Sequence, residues 1–340
     1  MKKSLIAFAL IGTLEASAFA QSSITLYGIV DTGLSYVNND SGNQLWAMQG
    51  NILRGSRWGL LGAEDLGGGT KAIFRLENGF NPINGKLGQG GREFGRTAYV
   101  GLTNESLGTL TLGRQYDSFI VAVQPTTFNG QWGALFAHPS DIDNTDNSFR
   151  TNNVVKYASP SFAGVSAELM YAFGGVAGQF GSESTVATGL RYTRGPFYLG
   201  AGYFYAKNPA EQFGDGNFVA SHPATPGVTT NGAWGYVGHP SNMQTFGLGG
   251  TYTIGPGMIG LAYTHVKFND ANGIDGNSVA FTNAEIWGSY TFTPVVTLGL
   301  GYTYTCGKVD VAGTMNRAGF VGDRRVWRYA ARADSARFRL

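Results

Sequence analysis

The chain has 340 residues, of which 52 are Gly, 11 Pro and one Cys; 14% are charged, and the formal net charge is +2. That Gly share is about twice the usual ~7% and excludes a helical bundle, since each interior Gly costs a helix about 1 kcal/mol relative to Ala. The lone Cys excludes a disulfide framework and any Cys-based zinc site. After the first twenty residues no apolar run of ~18 is long enough for a membrane helix.

Residues 1–20 read as a signal peptide. Lys2 and Lys3 form a positive start, residues 5–14 an apolar stretch, and Ala18-Phe19-Ala20 a small-x-small cleavage pattern. Without Lys2, Lys3 and Glu15 of this segment, and without the seven Arg, Asp323 and Asp334 of residues 317–340, residues 21–316 carry a net charge of −4. A basic nucleic-acid-binding protein is therefore excluded.

From Ser23 the chain alternates with period two. Ile24, Leu26, Gly28, Val30, Leu34 and Tyr36 share one parity, and Thr25, Tyr27, Asp31 and Ser35 the other. Such alternation is a strand with one apolar face. It defines thirteen strands, near 23–37, 54–64, 70–80, 94–103, 108–116, 150–158, 163–173, 184–194, 196–207, 244–253, 257–267, 282–292 and 295–306. The second face is mostly Thr, Ser and Gly, whereas a soluble sandwich turns charged residues to water. Apolar stripes ending in Tyr or Phe fit strands crossing a membrane interface. The fold class expected is all-β, a transmembrane antiparallel β-barrel whose closure satisfies the backbone in lipid. Tight turns at 64–69, 194–196, 255–257 and 293–294 alternate with long connections at 38–53, 81–93, 117–149, 174–184, 208–243 and 268–282, the layout of an outer-membrane barrel.

Several motifs in order carry a family resemblance. They are Gln21-Ser-Ser-Ile-Thr-Leu-Tyr-Gly-Ile-Val-Asp31, the run from Ser56 to Glu77 through Arg57-Trp58-Gly59, Phe94-Gly-Arg-Thr-Ala-Tyr-Val-Gly-Leu102, Leu112-Gly-Arg-Gln-Tyr-Asp117, and Asp143 to Arg150 with Val155-Lys-Tyr157. Over about residues 1–314 the chain resembles the Gram-negative general porins of the β-proteobacterial type, with the barrel itself expected over 21–314. The resemblance implies a homotrimer of sixteen-stranded barrels in the outer membrane, in contact with lipid and lipopolysaccharide. Each barrel would pass ions and small hydrophilic solutes without a cofactor. It also implies that loop 117–149 folds inward as a constriction.

Parity supports that transfer for some residues. Arg57, Arg75, Arg150 and Lys156 alternate with Trp58, Phe74, Phe149 and Tyr157 and so face the lumen. The resemblance suggests Arg57, Arg96 and Arg150 as the main cluster, with Arg75 and Arg114 nearby. Parity is ambiguous for Arg96, and Arg114 shares that of Leu110 and Leu112 on the lipid face. Loop 117–149 carries Asp117, Asp141, Asp143 and Asp146, which are expected to face the basic wall and set a transverse field. The body's negative charge favours cations; the Arg-dense constriction favours anions and should decide.

Other chemistry has little support. His138, His222, His239 and His265 are scattered and read as loop or rim residues, and no H-E-x-x-H occurs. Gly67-Gly68-Gly69-Thr70-Lys71 joins two strands and is a turn, not a phosphate loop. Cys306 ends a strand without a partner. Two rivals remain, a barrel-rim hydrolase and an adhesin carried by loop 208–243. After about Thr314 the alternation stops, and residues 315–340 form an Arg-rich tail with no period-two run. Three family strands are then absent. A chain with such a C-terminus is expected to be exported but to assemble poorly.

Overall fold

The structure, a computed structural model, describes residues 23–40, 42–214, 237–310 and 325–338. The signal segment, most of loop 208–243 and much of the Arg-rich tail lie outside them. In chain order the strands are β1 (Ser23–Ile29), β2 (Thr32–Asp40), β3 (Asn43–Gly50), β4 (Arg57–Gly67), β5 (Thr70–Gly79), β6 (Thr97–Asn104), β7 (Gly108–Gln115), β8 (Thr151–Ala158), β9 (Val165–Ala172), β10 (Thr185–Arg194), β11 (Phe197–Lys207), β12 (Asn242–Ile254), β13 (Gly257–Asn269), β14 (Ser278–Thr293), β15 (Val296–Asp310) and β16 (Arg325–Phe338).

All pairings are antiparallel. Fourteen strands form one sheet in the order β1-β4-β5 and onward in sequence to β16, while β2 and β3 pair only with each other. The described sheet has β1 and β16 as its edges, and among the described residues no ladder joins them. Sixteen described strands replace the thirteen expected from alternation. The segment 23–37 breaks at Val30-Asp31, where the Asp31 carboxylate accepts from the Leu53 and Arg54 amides, at 2.5 and 2.6 Å. The connection 38–53 contains β3. The tail supplies β16, paired with β15 from Val296↔Phe338 to Val309↔Arg325. A ladder is made by the backbone, so a segment without apolar alternation can still complete one.

The sheet has its apolar side outward. Leu169, Leu190, Leu199, Leu248, Leu261, Ile286 and Leu300 are exposed, while Glu168, Gly189, Gly200, Gly247, Gly260, Glu285 and Gly301, on the opposite parity, face inward. Tyr and Phe cluster at the turn end, with Phe197 against Tyr252 at 4.6 Å and Tyr290 against Phe292 at 4.7 Å. An exposed apolar band with aromatic ends is a lipid-facing surface.

The interior is filled on one side. Loop 117–149 runs back over the inner faces of β10 to β15. Asp117 caps helix α1 (Ser118–Val123) by accepting from the Ile120 amide at 2.9 Å, and Thr127 caps α2 (Phe128–Trp132) through the Gly130 amide. The loop can lie this close because the wall beneath it lacks side chains. A Cβ at Gly189 would collide with the Ser118 carbonyl, and one at Gly200 with the Ala122 carbonyl. Further along, a Cβ at Gly301 would stand 2.5 Å from the Phe128 ring. Phe119, Ile120 and Val123 then pack with Phe149, Met170, Phe204, Met243, Val266 and Phe281, a buried apolar core inside the sheet. A second cluster joins Phe128, Trp132 and Phe136 to Trp287, whose indole N–H donates to the Thr126 carbonyl at 2.8 Å.

A buried ionic group fixes the loop's far arm. His138 Nδ1 lies 2.6 Å from Asp143 and its Nε2 3.5 Å from Glu285 on β14, with all three side chains almost wholly buried. Asp143 also accepts from Thr264 and Asn283, and Glu285 from the Phe128 amide at 2.7 Å and Thr303 at 3.0 Å. Burial opposes a charge on His138, but Asp143 and then Glu285 outweigh it and push the imidazole up to about 10. Burial likewise opposes the Asp143 charge, yet His138 and the hydroxyls of Thr264 and Thr145 hold it down at about 2.

Gly189→Val should force the loop off its seat and lower stability by about 1–3 kcal/mol. The same change at Gly288, whose nearest neighbour would be 3.7 Å away, should leave the melting temperature unchanged. His138→Ala leaves two buried carboxylates without their cation, an expected loss of about 3–5 kcal/mol. The sign of its pH dependence follows from linkage. A raised His value gives stability that is complete below about pH 6.5 and lost as pH rises through about 10, and a depressed Asp value gives stability lost as pH falls from about 4 through 2. The difference between wild type and His138→Ala, followed by Trp fluorescence, should thus be greatest between about pH 4 and 6.5.

Candidate functional site

Opposite the filled side, β1, β4, β5, β7 and β8 present a charged wall. Tyr27 and Gly59, and Leu61 and Arg75, are cross-strand partners on the inward face. Alternation along β5 puts Glu77 on the same face as Arg75. Glu77 is fully buried and divides its two oxygens. One accepts from Tyr27 and Arg75, both at 2.6 Å, and the other from Arg96 Nε at 2.7 Å. Arg96 also donates to the Tyr116 hydroxyl at 2.6 Å, as does Arg150 at 3.1 Å. The Arg150 guanidinium lies 4.9 Å from the centre of the Tyr116 ring, and that of Arg75 5.3 Å from Tyr27. Cationic planes over aromatic faces keep their charge while losing rotamer freedom. Burial alone would raise the Tyr116 phenol, but Arg150 and Arg96 hold it below its usual value.

Arg57 belongs to the same wall, with Nε donating to the Gly55 carbonyl at 2.9 Å and Arg96 and Tyr116 within electrostatic reach. Arg54, just before it, is exposed and donates to the carbonyls of Gly130 and Gln131 at the end of α2. The structure therefore brings Arg57, Arg75, Arg96 and Arg150 together.

Arg114 and Lys156 stand apart. Gly113 has φ +134 and the β7–β8 ladder slips between Gly113 and Gln115. That bulge turns Arg114 away from the parity of Leu110 and Leu112. It is buried and donates to the Gly95 and Arg150 carbonyls and, at 2.6 Å, to Asn152. It braces the backbone that carries Arg96 and Arg150. Lys156 donates to the Tyr116 carbonyl at 3.1 Å and lies 3.6 Å from Glu168, which pairs with Arg191 at 2.9 Å.

The four acids of the loop do not act alike. Asp117 is the cap of α1, and burial pushes its carboxyl up to about 6. Asp143 is spent on His138. Asp141 is buried and accepts from the Asp146 and Ser148 amides and the Ser148 hydroxyl. Burial, then Asp146 and Asp143, push its carboxyl well above the usual carboxylate range. Asp146 alone lies in the field of Arg150, Arg54 and Arg96 while accepting from Asn129 at 3.3 Å. The expectation that all four face the basic wall is corrected on this point, since three are used to fold the loop. Sequence reasoning passed over Glu77 and Tyr27, whose parity with Arg75 and Thr25 was the available signal. It also passed over Tyr116, which carries no such signal.

The profile of the Gram-negative porin family matches residues 6–334. An outer membrane porin protein of Bordetella pertussis is 33% identical over 294 residues, spanning 77% of this chain and 69% of that protein. Outer membrane porin protein 32 of Delftia acidovorans is 38% identical over 185 residues, about half of each chain. Among solved structures, the anion-selective porin from Comamonas acidovorans superposes with a TM-score of 0.65 at 21% identity, over 93% of this chain and 96% of that one. The trimer form of OmpT from Vibrio cholerae gives 0.56 at 15% identity, over the same shares. An outward apolar band, an inward loop and a match across nearly the whole length converge: the chain belongs to the Gram-negative porin family and resides in the outer membrane.

Proposed function

We propose that the chain forms a water-filled passive channel, assembled as a homotrimer, whose narrowest part favours small anions. Selection would occur between the wall formed by Arg57, Arg75, Arg96 and Arg150 and the loop segment carrying Asp146. The reading rests on one observation: among the described residues of this wall and of the loop facing it, five guanidiniums, Arg54 included, face only the carboxylates of Glu77 and Asp146. Glu77 is enclosed between two arginines, so a solute would meet mainly Arg54, Arg57 and Arg75, while the buried Arg96 and Arg150 act on it at a distance. Selectivity is set at the narrowest point. No chemical step is assigned, and none is needed for diffusion down a gradient.

The test is single-channel recording in a planar bilayer with the full chain. Steps grouped in threes and a reversal potential on the anion side under a KCl gradient are expected. Cation preference would overturn the selectivity assignment, and silence beside a conducting relative would overturn the channel. Arg57→Ser combined with Arg150→Ser should lower the anion-to-cation permeability ratio several-fold while strand content by circular dichroism is retained. Arg114→Ser should instead lower thermal stability, because it strips the bonds to Gly95, Arg150 and Asn152.

A further inference from the structure

The charged wall carries a second kind of surface, which selection by charge does not call on. Alternation along β4 puts Leu61 on the inward face with Arg57 and Gly59, and the ladders set it opposite Thr25 of β1 and Arg75 of β5. Arg75 stands in turn opposite Tyr99 of β6, and Ile73, two residues earlier on β5, shares its face. Cross-strand partners on one face have Cβ atoms about 5 Å apart, so Leu61 and Tyr99 flank the Arg75 side chain. Lipid is met by other residues of these strands, Leu60, Phe74 and Val100, on the opposite parity. Leu61 is nevertheless 40% exposed, and Ile73 and Tyr99 are partly exposed.

Water gives such a surface no stabilisation, since an apolar group gains only when apolar matter covers it. On the filled side of the interior, loop 117–149 is that cover, with Phe119, Ile120 and Val123 against the sheet. Around Arg75 the apolar side chains instead border the open lumen. Arg75 is also incompletely used by the protein. Its Nε donates to the Tyr27 hydroxyl at 2.8 Å and its Nη2 to Glu77 at 2.6 Å, while Nη1 has no hydrogen-bond partner among the described residues. Those two bonds hold the guanidinium still, and its side chain remains 35% exposed.

We infer that Arg75, Leu61, Ile73 and Tyr99 form a transient subsite for organic monoanions with an apolar portion, a reading that rests on the channel proposed above. The carboxylate accepts from Arg75 Nη1, and the carbon chain covers the three apolar side chains. Chloride receives the charge alone, and a polyhydroxylated acid sets its hydroxyls against apolar groups that cannot bond them. Glu77 tempers the attraction, so the solute is held weakly enough to leave, as conduction requires. A narrow pore by itself retards a solute more as it lengthens. A preference that rises with chain length therefore runs against sieving and identifies the apolar contact.

The test adds unbranched carboxylates, from acetate to hexanoate, to the full chain conducting KCl in a planar bilayer. The half-blocking concentration should fall roughly two- to fourfold with each added methylene, the upper figure being that of a methylene fully removed from water. Gluconate, with six carbons and five hydroxyls, should block far more weakly than hexanoate. Leu61→Ser with Tyr99→Ser should flatten the series, read as the acetate-to-hexanoate ratio within one variant so that any change in KCl conductance cancels. Ile73→Ser, a single change, should lower the same ratio. Arg75→Gln should weaken block by every member and leave the slope. A wild-type series that is flat or inverted would overturn the subsite and leave the channel standing. A slope that survives both the double variant and Ile73→Ser would overturn its placement here. A wild-type chain that never conducts would remove the channel and this inference together.

Discussion

Lipid outside and water inside reverse the side-chain arrangement of a soluble β-protein, and the rest of this molecule follows from that reversal. Large apolar residues occupy the outward positions of nearly every strand. The inward positions must leave room, and where a loop has to enter they must leave a great deal. Gly189, Gly200, Gly247, Gly249, Gly299 and Gly301 stand under the loop 117–149, and any Cβ there would meet its backbone, its rings or, at Gly249, the Thr126 side chain. Part of the Gly excess that first excluded helices is thus the seat of loop 117–149.

A loop placed inside a channel needs more than room. Its helices are one turn or slightly longer and have no stability alone. They persist because Phe119, Ile120 and Val123 bury an apolar face against the sheet's inner side. The ionic group of His138, Asp143 and Glu285 works differently. Such a group adds little net stability over an apolar replacement, but breaking it is severe. Its effect is register, since Glu285 holds both the Phe128 amide and His138 and so sets α2 and the far arm against one point of β14. The apolar core and this group lie against β8 to β15.

How much of this was legible in the sequence depended on whether side-chain alternation carried it. Strand positions, the inverted faces and the placement of Arg57 and Arg75 followed from a period of two. Arg114 did not, because one bulge at Gly113 reverses the parity of everything after it. The loop acids were legible as charge but not as direction. Inside a compact loop, Asp141 and Asp143 gain more from amides, hydroxyls and His138 than from facing water. His138 itself looked like a rim residue, as an isolated His carries no sign of partners 5 and 147 residues away. β16 was missed because backbone pairing leaves no apolar signature in Arg325–Phe338.

The arginine wall also shows why net charge is a poor guide to such a channel. Two unit charges ~6 Å apart interact by about 0.7 kcal/mol in bulk water and about 3 kcal/mol at an effective dielectric of 20. Charges on the outer loops are screened over ~10 Å at ordinary salt. The −4 of the body therefore fades over that distance, while the guanidiniums act at short range. Clustering so many cations would be unstable without relief. Glu77, buried between Arg75 and Arg96, and the Tyr27 and Tyr116 rings provide it from behind. Because that relief comes from Glu77 and the two rings, it fixes the guanidiniums in place while leaving Arg57 and Arg75 partly exposed.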